Sequence, residues 1–249
     1  MRVSIITICF NCVKTIEETI QSVLIQNYPN IEHIVVDGKS TDGTVEIIES
    51  FGEKITKFIS EKDDGIYDAL NKGLNLAMGD VIGFVHGGDE LIDETSVSLV
   101  VEAFKQQGTE VIYGDVLCVA PNNRDKVIRN WRAGVYNREN FRKGWMPPHL
   151  SCFMKKELYD KYGHFTTSLS IAADYELMLR FLYKYKASAA HLPEMIIRYR
   201  LGGTSNGSLI NILKSNYQAY KSWGMNGYSI SPLIMLRKPL SKIPQFFQK

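Results

Sequence analysis

The chain has 249 residues, of which 45% are hydrophobic and 22% charged, an ordinary composition for a soluble globular protein. Its length predicts one large α/β domain with a buried core, or one domain with a small appendage, and no repeat or low-complexity stretch is present. The net charge of +2 is uneven, because the stretch after Glu194 contains eight lysines and arginines and no acidic residue. This basic end favours an anionic surface or ligand over nucleic acid, since no nucleic-acid-binding module is recognisable.

The N-terminal residues and the cysteines predict a cytoplasmic location. The first residues run directly into an apolar strand, which argues against a signal peptide, and no apolar run approaches the roughly 20 residues of a membrane-spanning helix. Four cysteines without framework spacing fit a reducing compartment. The Cys9–Cys12 pair leaves two interpretations open, a thiol-redox motif or two incidental thiols in a strand-to-helix loop. The second is favoured, and a zinc site would need another such pair.

Strands and helices alternate over the first 119 residues. Short apolar, β-branched runs predict strands over 3–8, 32–36, 55–60, 80–86 and 111–119. Helical spacing predicts a helix after a capping box at Thr15–Glu18, a short helix over 45–51 capped by Ser40 or Thr41, and helices over 66–77 and 96–107. The alternation predicts an α/β fold with a mixed, mostly parallel sheet and helices on both faces.

The alternation weakens after residue 119. Residues 121–144 are polar and predict an irregular or strand-rich segment. Helices are predicted over 155–162, 174–186 and 208–223, with a strand near 195–199 and a loop at 202–206. The predicted organisation is therefore one half of a domain over 1–119, a second half over 120–206, and a C-terminal helix with a basic tail over 207–249.

Asp37 ends the second predicted strand and precedes a loop rich in glycine, serine, threonine and aspartate. Ligands of open α/β sheets bind beyond the carboxyl ends of the strands, so this loop is a predicted nucleotide site. A carboxylate accepts hydrogen bonds from a base edge or from ribose hydroxyls, and it repels phosphate. The chain contains neither of the glycine-rich phosphate-binding motifs, the P-loop and Gly-x-Gly-x-x-Gly.

Asp89 follows a buried strand and the segment His86-Gly87-Gly88. The glycines allow a close backbone approach to a ligand, and one carboxylate beside a diphosphate is a usual way to hold Mg²⁺ or Mn²⁺. An ordinary turn is an equal alternative for this segment. His86 adjoins it and is a further candidate for ligand contact.

Asp174 precedes an apolar helical segment. An aspartate at this place is most often an N-cap, and a general base is the alternative if a substrate hydroxyl can reach it. His149 follows two prolines, and we assign it to a candidate ligand site against the alternative of a structural loop histidine. The tail from Leu236 pairs basic with bulky apolar residues, which predicts attachment to an anionic membrane or, alternatively, a solvated tail.

Taken together, these motifs resemble those of family 2 glycosyltransferases with the GT-A fold, of the type found in bacterial exopolysaccharide and colanic-acid synthesis. The resemblance covers roughly residues 3–206. It depends on several ordered segments, which are residues 3–11, 34–44, 60–73, 84–89, 174–177 and 202–205.

The resemblance implies a role for each matching residue. Thr7 and Asp37 would bind the base and ribose of a nucleotide-sugar, and Asp63 and Lys72 would lie against the nucleoside and its phosphates. Asp89 matches the last position of the family's Asp-x-Asp metal motif, and Asp174 matches its catalytic base. Arg200 and the 202–206 loop would fold over the diphosphate. Asn11 and His149 complete the set assigned to nucleotide-sugar binding.

The implied activity is an inverting transfer, dependent on Mn²⁺ or Mg²⁺, from a nucleoside diphosphate sugar to a saccharide acceptor. A UDP-sugar is the expected donor. The expected acceptor is carried on a lipid at the inner membrane face, where the protein would bind peripherally. Gly88 and Ala173 depart from the acidic residues of many relatives. They leave open a non-catalytic nucleotide-sugar-binding protein, alongside the thiol-redox alternative. The prediction as a whole requires Asp37, Asp89 and Asp174 to face one cleft.

Overall fold

A computed structural model describes residues 1–202 and 209–234. Its N-terminal part contains four parallel strands, in which β1 pairs with β2 and β4, and β2 pairs with β3. These strands are β1 (Val3–Cys9), β2 (Ile31–Asp37), β3 (Lys57–Ser60) and β4 (Val81–Phe84). The connecting helices are α1 (Ile16–Leu24), α2 (Thr44–Ser50) and α3 (Ile66–Leu76). Parallel neighbours joined by helices are the arrangement that the sequence predicts.

The second part extends the same sheet with antiparallel and parallel pairs. Its strands are β5 (Glu90–Leu91), β6 (Val111–Ala120), β7 (Asn123–Trp131), β8 (Cys152–Lys155) and β9 (Ala189–Arg200). Its helices are α4 (Ser96–Gln107), α5 (Lys156–Tyr162), α6 (Ala173–Met178), which continues into a π-helical segment over Leu179–Lys184, and α7 (Leu209–Met225).

Within the described residues the strands form one mixed sheet in the order β3-β2-β1-β4-β8-β6-β9-β5, with β7 paired to β6. Ile6 and Ile8 of β1 face one hydrophobic cluster with α3 and α6, whereas Val3 and Ile5 face another with α4. Because alternate residues of a strand point to opposite faces, helices cover both sides of the sheet. The predicted mixed α/β fold is confirmed.

Several local predictions are wrong. The capping box does not form, because the hydroxyl of Thr15 donates to the Cys12 carbonyl and no side-chain bond caps α1. Gly43, and neither Ser40 nor Thr41, occupies the N-cap position of α2. Strands β5 and β8 were not predicted, and β9 begins six residues before the predicted strand.

Two predicted segments lie largely outside the described residues. They are the loop at 202–206, of which only Gly202 is described, and the tail from Leu236 onward. Between residues 1 and 202 and between 209 and 234, no helix is both long and apolar enough to cross a bilayer.

Candidate active site

A cavity of about 1250 Å³ opens at the carboxyl ends of β1 to β4. One side, which we call the strand-end wall, is formed by the loops after β1, β2 and β3 and includes Phe10, Cys12, Gly38 and Asp63. The loop after β4, His86 to Asp89, forms the floor. The opposite side, which we call the aromatic wall, is drawn from β7, the 144–150 loop, α6 and α7, and includes Trp131, Trp145, His149, Asp174 and Ile212.

Asp89 lies on the cavity floor and is 5% exposed. Gly88 has φ +108°, a value that favours glycine, and the Asp89 N–H donates to the His86 carbonyl at 2.8 Å. A Cβ on Gly87 would lie 3.0 Å from Cβ of Cys9, so the loop approaches the end of β1 closely. Burial raises the pKa of Asp89 to about 8, against the opposing effect of Arg200. A proton therefore competes with any cation for this carboxylate near neutral pH.

Asp174 faces the same cavity from the first turn of α6. The N-cap interpretation is wrong, because Ala172 holds that position. The N–H groups of Ile171 and Ala172 donate instead to Oε1 of Gln218 at 3.0 and 3.2 Å. Oδ1 of Asp174 lies 3.3 Å from the hydroxyl of Tyr67, which also donates to the Ile171 carbonyl at 2.6 Å. The carboxylate is thus held in place and half-buried, with access to the cavity.

Phe10 and Asp63 pack closely over Gly38 in the strand-end wall. A Cβ on Gly38 would lie 2.9 Å from Oδ2 of Asp63 and 3.3 Å from the Phe10 ring. Phe10 is 64% exposed, unusual for a phenylalanine beside a cavity. An exposed ring beside a carboxylate is suited to a flat polar group such as a nucleobase, which stacks and donates hydrogen bonds.

Lys72 lies behind Asp63 and does not line the cavity. Its ammonium contacts Oδ1 of Asp63 at 2.7 Å, Oε1 of Glu61 at 2.9 Å and Oδ2 of Asp68 at 3.3 Å. Burial lowers the pKa of Lys72, but these carboxylates outweigh it and raise the pKa above its usual value. Lys72 therefore fixes Asp63 and its loop, and its contact with the phosphates of a ligand stays a prediction.

Asp37 is fully buried and its carboxylate does not line the cavity, contrary to the expected convergence of three acids. It accepts hydrogen bonds from the Ser40 N–H at 2.9 Å, from the Ser40 hydroxyl and from the Ser60 hydroxyl at 2.7 Å. These bonds join the loops after β2 and β3. Asp37 thus shapes the strand-end wall from behind, whereas Asp89 and Asp174 face the cavity.

Thr7 and Asn11 also lie behind the cavity surface. The Thr7 hydroxyl is buried and bonds to Nε2 of His33 at 3.0 Å. Asn11 has φ +49°, and its side chain accepts from the Thr41 N–H at 2.9 Å. This turn carries the chain from Cys9 to Cys12, and both cysteines line the cavity. Neither Thr7 nor Asn11 is among the cavity-lining residues. Their hydrogen bonds hold neighbouring segments in place, and their contact with a nucleotide-sugar stays a prediction.

Two neutral imidazoles line the cavity. Burial lowers the pKa of His86 to about 3 and lowers that of His149, which Asp174 partly opposes. His149 stacks on Phe84 with ring centroids 5.3 Å apart. Among the residues the structure describes, Nε2 of His149 and Nδ1 of His86 are buried without a hydrogen-bond partner. Each is therefore a buried polar atom beside the cavity that the protein leaves unsatisfied.

Arg200 lines the cavity, but its guanidinium is engaged with protein groups. Nε donates to the Gly88 carbonyl at 3.2 Å, and Nη2 contacts Glu18 and Glu90. The Arg200 N–H donates to Oδ1 of Asp89 at 3.2 Å. Arg200 thereby fastens β9 to the floor loop, and its contact with a diphosphate stays a prediction.

Sequence reasoning missed several cavity residues. Tyr67, Arg129, Trp131 and Trp145 lie far apart in the chain, and only their packing brings them to the cavity. Gln218, which was also missed, does not line the cavity but accepts from the backbone two and three residues before Asp174. Phe10 lies inside the 3–11 segment that carries the family resemblance. Its position directly after β1, where ligands of such sheets bind, could have identified it as a cavity residue. Arg129 lies over the Trp131 ring at 5.1 Å and adds a cation to the aromatic wall.

The residues of the floor suit a divalent cation in part. Within the described ranges no three His, Cys, Asp or Glu side chains are grouped as metal ligands. One carboxylate, that of Asp89, nevertheless faces the cavity beside glycines that leave room for a diphosphate. Mg²⁺ and Mn²⁺ are commonly held by one or two carboxylates together with substrate phosphates and water. Asp89 therefore fits a cation that arrives with a phosphorylated ligand.

Comparison with known proteins identifies similar chains. The family model of Glycosyl transferase family 2 matches residues 4–163. A glycosyltransferase of Mycobacterium tuberculosis is 33% identical over 183 residues, which are 72% of this chain and 68% of that protein.

Two solved structures share the fold. S. aureus TarS 1-349 in complex with UDP has a TM-score of 0.71 and 17% identity over 98% of this chain and 72% of that one. This chain spans 44% of a longer TarS chain. The mannosyltransferase PcManGT of Pyrobaculum calidifontis, in complex with GDP-Man and Mn²⁺, has a TM-score of 0.63 and 18% identity over 95% of this chain and 68% of that one. The GT-A fold predicted from the motifs is confirmed.

Proposed function

The chain belongs to glycosyl transferase family 2, and on that premise we propose that it transfers a sugar from a nucleoside diphosphate sugar to a saccharide acceptor with inversion. The observation that carries the proposal is the placement of Asp89 and Asp174 on one cavity, on different elements. One carboxylate is buried on the floor, and the other is half-buried and held by Tyr67. Two acids in different environments suit two different tasks.

The donor's nucleoside is proposed to lie against the strand-end wall. Phe10 would stack on the base, and Asp63 would accept hydrogen bonds from the base edge or ribose. Because Gly38 has no side chain, Phe10 and Asp63 lie close together over it, so that one base could contact both. A UDP-sugar is the proposed donor, in keeping with UDP bound by the TarS chain of the same fold. Asp37, Thr7, Asn11 and Lys72 would support this wall from behind.

The diphosphate is proposed to lie over the floor loop beside Asp89. Asp89 would hold Mn²⁺ or Mg²⁺ jointly with the phosphates, and the cation would stabilise negative charge on the leaving nucleoside diphosphate. The structural neighbour with GDP-Man and Mn²⁺ supports a divalent cation in this fold. Arg200 contributes by tying β9 to the floor and by fixing Asp89 through its backbone N–H.

Asp174 is proposed as the general base. An acceptor hydroxyl would give its proton to the Asp174 carboxylate as its oxygen bonds to the anomeric carbon. The bond from that carbon to the diphosphate oxygen breaks, and its electron pair leaves with the nucleoside diphosphate. Tyr67 orients the carboxylate, and the imidazole of His149 lines the same cavity. General-base help of this kind contributes about 10²–10⁴ in rate.

The acceptor is proposed to enter along the aromatic wall. Trp131 and Trp145 present apolar ring surface suited to sugar rings, and Arg129 adds a cation. We assign the reaction to bacterial surface polysaccharide synthesis, with a lipid-linked saccharide as acceptor. The basic stretch after Glu194 supports an acceptor presented at an anionic membrane.

A screen of nucleotide-sugars tests the proposal. The purified chain is incubated with UDP-, GDP- and dTDP-sugars, with and without Mn²⁺, and both the melting temperature and nucleoside diphosphate release are followed. We expect one UDP-sugar to raise the melting temperature when Mn²⁺ is present and to be slowly hydrolysed or transferred. Stabilisation without release of nucleoside diphosphate, even with saccharide acceptors added, would identify a non-catalytic binding protein. The absence of any stabilising nucleotide would contradict the donor site.

A further inference from the structure

Helix α7 presents an apolar face to solvent. Ile210, Leu213 and Tyr217 are 75%, 71% and 59% exposed, and their spacing places them on one side of the helix. Met225 extends the same side two turns further and is 41% exposed. We call these four residues, together with the exposed Lys214 and Lys221 between them, the α7 stripe. Bulky apolar side chains grouped in this way are uncommon on a surface that faces only water.

The opposite side of α7 is anchored to the catalytic half of the cavity. Trp223 is fully buried and donates from Nε1 to the Tyr175 hydroxyl at 3.0 Å, and Asn226 donates to Oε1 of Glu176 at 3.0 Å. Gln218 accepts from the N–H groups directly before Asp174. The α7 stripe is therefore held at a fixed position relative to the proposed base.

The first turns of the anchored side of α7 line the cavity. Ile212, Ser215 and Asn216 belong to its wall and lie seven residues before the buried Ala219, Ser222 and Trp223, on the side of the helix opposite Ile210, Leu213 and Tyr217. A group bound in the cavity thus lies within one helix diameter, about 10–12 Å, of whatever covers the stripe.

The charge around the stripe is positive. Lys214 and Lys221 are exposed within it, and no acidic residue occurs after Glu194. The stretch after residue 234 adds Arg237, Lys238, Lys242 and Lys249 to the sequence. A helix with apolar residues flanked by lysines binds at the boundary of headgroups and acyl chains, where the apolar side chains insert and the ammonium groups reach lipid phosphates.

We propose that the α7 stripe docks the protein on an anionic lipid bilayer, with the cavity on the other side of α7, about one helix diameter from the headgroups. A saccharide on a lipid of that bilayer would then be held close to the cavity wall that Ile212 and Asn216 form. The delivery of a saccharide to the cavity rests on the proposed function, whereas binding of the α7 stripe to lipid does not require catalysis. A second copy of the chain is the competing occupant, and the net positive stripe argues against it because two copies would bring their lysines together.

The test is binding of the full-length chain to phosphatidylcholine vesicles, with and without phosphatidylglycerol. The double variant Ile210→Ser with Leu213→Ser is compared with the matched control Ile25→Ser with Met78→Ser. The control residues are exposed apolar side chains elsewhere, at 54% and 67%. We expect the wild type to bind only the anionic vesicles, the stripe variant to bind at least about tenfold more weakly, and the control to bind as the wild type does. Lys214→Glu with Lys221→Glu should weaken binding about tenfold or more, with a smaller effect in high salt.

Three outcomes would overturn the proposal: no binding of the wild type to anionic vesicles, unchanged binding of the stripe variant, or equal loss in the control. A wild-type dimer that dissociates in the stripe variant would assign the face to a second copy. The Asp174→Asn variant should bind vesicles as the wild type does. A wild-type chain that binds vesicles but releases no nucleoside diphosphate from any donor would reject the proposed function and leave the docking surface standing.

Discussion

The two walls of the cavity are built in different ways. The strand-end wall consists of consecutive loops whose polar side chains bond to one another, as Asp37 does to Ser40 and Ser60. The aromatic wall is assembled from segments up to about a hundred residues apart, joined by buried rings and by single bonds such as Tyr67 to Ile171. The first depends on local motifs and the second on tertiary packing. Nucleotide binding and turnover should accordingly respond to different substitutions.

Removing Trp223 should cause the largest loss of stability. Its ring is fully buried and packs against Tyr183 with centroids 4.8 Å apart. Trp223→Ala should lower the free energy of unfolding by about 3–5 kcal/mol. Turnover should fall because α6 and Asp174 lose their support, whereas UDP affinity of the folded protein should be kept. Urea denaturation and UDP titration measure the two effects, with exposed Tyr217→Ala as the control. Equal loss of affinity and turnover would show that the walls are coupled.

Acid should destabilise the protein through its buried histidines. Burial lowers the pKa of His33, behind the strand-end wall, from 6.5 to about 4. Between these values the unfolded chain binds a proton that the folded chain excludes, so stability is complete above pH 6.5 and declines toward pH 4. At pH 4, His33 should lower the free energy of unfolding by about 3 kcal/mol relative to neutral pH. Urea unfolding measured from pH 7 to pH 4 should show that the free energy of unfolding declines less in His33→Gln than in the wild type. An unchanged pH dependence would contradict a buried neutral His33.

Asp37 should affect donor binding without touching the donor. In Asp37→Asn an amide NH₂ replaces one of the two oxygens that accept from Ser40 and Ser60, so a serine hydroxyl must turn to accept and the bonds to a charged acceptor are lost. The free energy of unfolding should fall by about 1–3 kcal/mol. UDP affinity should fall as the loops after β2 and β3 loosen, while turnover at saturating donor should change little. The exposed Asp125→Asn serves as the control. A selective loss of turnover would place Asp37 in the chemistry instead.

Phe10 should give the smallest effect of the series, confined to the strand-end wall. Phe10→Ala removes a ring proposed to stack on the base and should weaken UDP binding about tenfold. Phe10→Tyr keeps the ring and should bind UDP as the wild type does. Because the side chain is largely exposed, stability should be unchanged in both variants. If Phe10→Ala and the wild type bind UDP with the same affinity, the base of the nucleotide does not stack on Phe10.

The order of elements was predictable, but the direction of many side chains was not. Buried runs such as Val3–Cys9 and the periodic helix Ser96–Gln107 are visible in the sequence because they have one clear period. Strands β5 and β8, of two and four residues, exist through pairing with distant strands. Asp89 was found because glycines precede it. The burial of Asp37 and Thr7 was not predicted. At the end of a strand, the sequence has no pattern that distinguishes a side chain that contacts a ligand from one that stabilises the neighbouring loops.

The aromatic wall shows the same limit. Asp174 was identified from a motif, yet its setting depends on Tyr67 and Gln218, which lie 107 and 44 residues away in the chain. Neither residue stands out in its own segment, since each fits the apolar periodicity or polar spacing of an ordinary helix. Only the packing of α3 and α7 around α6 shows that they hold the carboxylate.

The most direct test of the account compares Asp89→Asn with Asp174→Asn, with UDP affinity in Mn²⁺ and turnover measured on both proteins. The account predicts that Asp89→Asn loses Mn²⁺-dependent UDP affinity. It predicts that Asp174→Asn keeps that affinity and loses about 10²–10⁴ in kcat. If Asp174→Asn turns over like the wild type, or if both variants lose affinity equally, the two carboxylates do not divide the work as proposed.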